Sequence, residues 1–230
     1  MFNLFFLLQT DSLAQAASQT AAASKGVSLI ELLTLGGWVM IPLAALFFVT
    51  VFVFFERFLS IRKASAIEGN FMNIIRDHIV NGNVTAARSF AKNTANPVGR
   101  IIDKGIQRIG KPIENIERSM ENVGKLEIYN LERNLSVLSL SAGIAPLLGF
   151  LGTIIGMFQL FYSLATGGEF SIQTMANGIY TKVITSATGL IIGMLAYVAY
   201  NFLTTQVDKT AYKMEAASAE FLDILQEPTR

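Results

Sequence analysis

Cysteine is absent from all 230 residues, histidine occurs once and proline five times. Without cysteine there is no disulfide, no thiolate nucleophile and no sulfur-ligated metal site, and the redox compartment leaves no mark. The lone histidine, His78, stands beside Asp77. It falls short of a metal-binding set, which needs several ligands at fixed spacing, and reads as a surface or packing residue. Charge is also scarce: 15% of residues are Asp, Glu, Lys or Arg, against about 25% in a soluble domain. A net charge of +1 offers nucleic acid nothing to bind, and no metal or cofactor is expected.

The scarcity is concentrated. No charged residue stands between Asn134 and Gly168, and none between Val183 and Val207. Each run exceeds the roughly 20 apolar residues that cross a hydrocarbon core. A third apolar run starts at Trp38, continues to Phe55 and is closed by Glu56-Arg57, with Arg62-Lys63 following. With 52% hydrophobic residues and a mean hydropathy of +0.46, the chain reads as an all-α membrane protein with three transmembrane helices.

Residues 1–27 are expected to be an exported tail, its possible cleavage left open because Met1 to Gln9 is apolar but lacks a basic n-region. Residues 28–60 hold a brief interfacial helix, Ser28 to Leu35, and the first membrane helix, with Pro42 near its start, where a missing N–H costs little. Phe47, Phe48, Phe52, Phe54 and Phe55 read as a lipid-facing or packing surface. Residues 61–134 alternate charge with apolar positions at helical spacing. Asn81-Gly82-Asn83, Asn96-Pro97 and Gly110-Lys111-Pro112 divide them into short helices. From Ile113 the pattern runs directly into the second membrane helix, 135–164. An outside loop follows (165–175), then the third membrane helix (176–203) and its helical extension (204–230), which Pro228 stops. The second and third membrane helices thus extend into a cytoplasmic helical bundle.

Thirteen of the 18 Lys and Arg residues lie between Arg57 and Arg133, and the Ala165–Gln173 connection has none. Basic residues flanking membrane helices stay inside, so the expected N-terminus is outside and the C-terminus cytoplasmic.

The chemistry sits in the second and third membrane helices. The second reads Ala145-Pro146-Leu147-Leu148-Gly149-Phe150-Leu151-Gly152-Thr153-Ile154-Ile155-Gly156-Met157. Pro146 bends the helix or frees a carbonyl. Gly149, Gly152 and Gly156 share a face along which another backbone can come close, and Thr153 lies next to it. In the third helix Lys182, Ser186, Gly189 and Gly193 share a face, with Thr181, Thr185 and Thr188 beside it. A hydroxyl stripe next to a glycine stripe suits a helix lining a narrow polar conduit, and it also suits an ordinary tight helix pair. Lys182 lies near the outer end, where it either snorkels to the interface or pairs with a carboxylate of another chain. Neither span contains Asp, Glu or His. If protons cross, this chain supplies hydroxyls and shape, and a partner supplies the titrating acid.

The Ala145–Met157 block, Gly178-Ile179, Thr188-Gly189-Leu190, Tyr200-Asn201 and Glu56-Arg57-Phe58 resemble the ExbB/TolQ/MotA family of inner-membrane motor subunits, ExbB-like members most closely. The resemblance covers about residues 28 to 227. It implies a homopentamer around two single-span ExbD/TolR-like subunits, each bringing a membrane aspartate, in the lipid of a Gram-negative inner membrane. It further implies proton-driven work on a TonB-like protein for outer-membrane transport. It places pore-lining hydroxyls at Thr153 and Ser186, with Thr181, Lys182 and Thr185 nearby on the expected path. Two positions depart from the pattern: several relatives have glutamate where Thr181 stands, and many have proline at Gly193. A Tol-type, flagellar or gliding stator, or a non-conducting scaffold whose small residues only pack, remains as an alternative. A membrane enzyme is disfavoured by the lack of His-Glu-x-x-His, Gly-x-Ser-x-Gly and P-loop patterns.

Overall fold

The structure is a computed structural model that describes residues 37–66, 69–167 and 172–226, without the side chains of Thr174, Asn177 and Thr181. The tail expected to be exported (1–27), the interfacial helix expected at 28–35, part of the expected outside loop and the stop expected at Pro228 lie outside the described residues.

Among the described residues the chain is helical throughout, in the order α1 Met40–Ala64, α2 Phe71–Val80, α3 Val84–Asn93, α4 Pro97–Ile106, α5 Ile113–Glu132, α6 Leu135–Ala165 and α7 Ile172–Gln226. Three of its helical stretches are long and apolar enough to cross a membrane: α1, the combined α5–α6 stretch and α7. The most hydropathic windows of these stretches are only 22–28% buried within the chain. Most of their apolar surface is therefore left for lipid or for other subunits.

The sequence punctuation does the expected work. Gly82, with φ of +74°, turns α2 into α3, and the Asn83 side chain accepts a hydrogen bond from the Ala86 N–H. Asn96 caps α4 by accepting from Gly99 N at 2.7 Å, with Pro97 in the first turn. Gly110, with φ of +90°, precedes Pro112 and the start of α5.

Helices α2 to α5 wrap the far end of α7. Their shared core includes Phe71, Ile75, Ile102, Met120, Met214 and Phe221. His78 is half-buried at the end of α2, and its carbonyl accepts from Asn83 N.

A second core, with Val53, Leu131, Leu135, Leu138 and Leu203, joins α1, α5, α6 and α7 where the bundle meets the membrane helices. Here α5 does not run straight into α6. Arg133 and Asn134 separate them, and Asn134 adopts a left-handed backbone with φ of +68°. Asn is among the few residues that take this conformation readily, so the two helices meet at a bend.

Arg57 sits beside that bend. It is 5% exposed, pairs with Glu56 and donates to the Asn130 carbonyl of α5 at 3.4 Å. Beyond its expected role as a topology marker, it ties α1 to the bundle. Of the phenylalanines, Phe47, Phe48, Phe52 and Phe55 face outward, while Phe54 stacks on Phe58 at 6.0 Å between ring centres. The 55 residues of α7 span about 80 Å at 1.5 Å per residue, enough to cross a bilayer and still reach the bundle core.

Candidate functional site

The site is a seam between α6 and α7, the most extensive helix contact among the described residues. Glycine creates it. A β-carbon on Gly189 would stand 2.5 Å from the Ala145 carbonyl oxygen and 2.8 Å from Gly149 Cα. One on Gly149 would stand 3.1 Å from the carbonyl oxygens of Thr185 and Ser186. Backbone lies against backbone on both sides, the arrangement that small residues permit between membrane helices.

Pro146 extends the seam. With no N–H it leaves the Ala142 carbonyl outside the helical ladder. That oxygen lies 3.0 Å from where a Gly193 β-carbon would be, and the Pro146 ring fills the same space at 2.6 Å. Gly193 is thus the residue that lets Pro146 pack, and α7 continues through it as unbroken helix.

At the other end the Lys182 stem lies across Gly156, whose missing side chain leaves room for it. The lysine is half-buried with its aliphatic part on α6. Gly156→Ala is expected to push this flexible stem aside rather than part the helices. The loss should stay below about 1 kcal/mol, and native mass spectrometry should find the wild-type stoichiometry.

The hydroxyls divide into two groups. Thr185, expected on the conduit wall, is 1% exposed, with its methyl group against Gly152 in the seam. Thr153 and Ser186 are half-buried at its edge. The Thr153 hydroxyl donates to the Phe150 carbonyl at 2.6 Å, which leaves its oxygen lone pairs able to accept from water or an ion's hydration shell. Thr188 donates to the Ile184 carbonyl at 2.9 Å. The side chain of Thr181 lies outside the described residues. Among the described residues no three His, Cys, Asp or Glu converge on a common point.

Sequence reasoning missed a groove of mixed character at the end of the seam nearest the bundle, where Leu135, Leu140, Ile144, Leu147 and Val207 stand among polar side chains. It holds about 710 Å³ and is lined in part by Glu132, Ser136, Ser139, Tyr200 and Thr204. Part of a signal was present: Ser136, Ser139 and Gly143 recur at steps of three and four along α6, one face of a helix.

Residues 93–216, more than half of the chain, match the model of the MotA/TolQ/ExbB proton channel family. Over 189 residues the chain is 26% identical to an ExbB homolog of Methanothermobacter thermautotrophicus, covering 82% of this chain and 67% of that protein. It is 33% identical over 88 residues to a biopolymer transport protein of Vibrio cholerae, covering 38% and 39% of the two chains. To the Tol-Pal system protein TolQ of Haemophilus influenzae it is 30% identical over 113 residues, 49% and 50% of the two chains. The chain thus spans about half the length, or less, of the last two relatives.

Proposed function

Because this chain belongs to the MotA/TolQ/ExbB proton channel family, we propose that it is the shell-forming subunit of an ExbB-like motor, in which copies of the α6–α7 pair enclose a polar ion path. The observation that carries this reading is the pairing of two features. Half-buried hydroxyls, Thr153 and Ser186, flank a glycine-tight seam, and the second and third membrane spans supply no acid of their own.

A wall of that kind needs a partner's titrating group. In the proposed complex five copies surround two single-span subunits, each with an aspartate at the level of Thr153 and Ser186. Protonation cancels the aspartate's charge. The neutral acid tolerates an apolar face of the shell, while the charged form prefers the hydroxyls. Alternation between these states turns one ring against the other and delivers work to a TonB-like protein. The proposed orientation puts the α2–α5 bundle in the cytoplasm, in keeping with the basic residues that flank the membrane helices.

Thr153→Val and Ser186→Ala are each expected to leave assembly intact and slow proton flux. Loss of one hydroxyl contact worth about 1 kcal/mol corresponds to roughly a fivefold drop. Proton flux into liposomes containing the complex measures it, and wild-type flux in both variants would remove these residues from the path. Co-purification with a TonB-like rather than a Tol-type partner separates this role from that of the TolQ relative.

A further inference from the structure

Resting on the channel reading above, we propose that the groove at the bundle end of α6 and α7 is a hydrated vestibule of the ion path. It would take water and small cations, with Glu132 as the charge at its mouth.

Three observations converge on this. The first is an unsatisfied hydroxyl. The Thr204 oxygen is buried and has no hydrogen-bond partner, although Thr205 and Thr210 on the same helix each donate to the carbonyl four residues back at 2.9 Å. A hydroxyl that forgoes this local bond needs another partner, and a rotamer turn of Thr204 toward the groove it lines would supply one in water.

The second is the lining. Ser136 and Ser139 of α6 and Tyr200 of α7 border the same groove as Thr204, between apolar stretches formed by Leu135, Leu140, Ile144, Leu147 and Val207. A bound water needs two to four polar partners and room for one molecule. About 710 Å³ with these hydroxyls exceeds both requirements.

The third is position. Ser186 and Thr204 are eighteen residues apart on one helix, about 27 Å at 1.5 Å per residue. That is close to the roughly 30 Å of a hydrocarbon core. The groove therefore stands about one hydrocarbon thickness from the Thr153–Ser186 level, at the bundle-side face of the membrane, where an ion path would open to water. Among the described residues that line the groove, Glu132 carries the charge. A carboxylate at the rim of a low-dielectric cleft concentrates cations there.

The absence of native cysteine makes a direct test possible. Single substitutions Ser136→Cys and Ser139→Cys, with outward-facing Phe52→Cys as the lipid control, are made in the complete complex with its single-span partner, in lipid nanodiscs. Each is exposed to a cationic and to an anionic methanethiosulfonate. The thiolate is the reacting form and needs water, so both groove cysteines should react at least about tenfold faster with the cationic reagent than Phe52→Cys does. Adding Glu132→Gln should lower the cationic-to-anionic rate ratio at Ser139→Cys severalfold.

Groove cysteines that react no faster than the lipid control would overturn the proposal. So would reaction that appears only when the single-span partner is omitted, since the groove would then be that partner's seat. An unchanged rate ratio in Glu132→Gln would overturn the role of that carboxylate. Labelling requires no turnover, so a complex that labels as expected yet passes no protons in liposomes supports the groove and counts against the channel reading.

Discussion

Gly189→Ala is expected to be among the most damaging single-methyl additions in the membrane part, and Gly143→Ala among the most harmless. Both glycines lie in the two helices that form the seam, yet their surroundings are opposite. A β-carbon at Gly143 meets nothing within 4 Å, whereas one at Gly189 would lie 2.5 Å from the Ala145 carbonyl oxygen and 2.8 Å from Gly149 Cα. Both obstacles are backbone, so no rotamer change relieves the clash and the helices must part. Overpacking of this kind costs about 1–3 kcal/mol. In a membrane the loss is not offset by a hydrophobic drive, because close packing is itself a main attraction between the helices. Gly143→Ala should be neutral, or stabilising by up to about 1 kcal/mol through better helix propensity. Thermal unfolding of the detergent-solubilised complex, followed by size exclusion, should show a clear drop for Gly189→Ala and none for Gly143→Ala. Equal melting of the two would mean that α6 and α7 do not approach as closely as described.

The same geometry marks where the sequence was informative and where it was not. Long uncharged runs and terminators such as Asn81-Gly82-Asn83 and Asn96-Pro97 act locally, so the helix order and most boundaries were legible from spacing alone. The bend at Arg133–Asn134 was not. A single Asn tolerates a left-handed backbone but does not demand it, and the packing of Leu131 and Leu135 into one core decides the matter. The hydroxyls show a subtler limit. Adjacent helical positions are about 100° apart, so Thr185 and Ser186 cannot both face the same way. Which one turns inward depends on where Gly152 of the other helix falls, and that is a tertiary fact. Burial of Arg57 escaped for the same reason, because its partner carbonyl at Asn130 lies 73 residues away.

Removing Arg100 is expected to cost more than removing the charge of its partner. Arg100 of α4 clasps Glu127 of α5 through two parallel hydrogen bonds, Nε to Oε1 at 2.6 Å and a terminal nitrogen to Oε2 at 2.5 Å. The two ends differ in exposure: the Arg100 side chain is 49% exposed and that of Glu127 only 12%. Arg100→Met therefore strands a carboxylate out of reach of most water. Breaking a fully buried pair costs about 3–5 kcal/mol, and the half-exposed arginine lowers the expectation here to about 1–3 kcal/mol. Glu127→Gln leaves a guanidinium that turns into solvent, with a loss of about 1 kcal/mol or less. In the double variant Arg100→Met/Glu127→Leu no charge is stranded, so much of the Arg100→Met loss should return. Urea unfolding of the full chain tests the cycle, and strictly additive effects would show that the pair is not coupled. The consequence reaches the seam, because Asn130, which receives the Arg57 bond, lies one turn beyond Glu127 on α5, and α5 leads through Asn134 into α6. Loosening α4 from α5 thus disturbs the support from which α6 enters the membrane, so Arg100→Met should lower proton flux even at temperatures where the bundle remains folded.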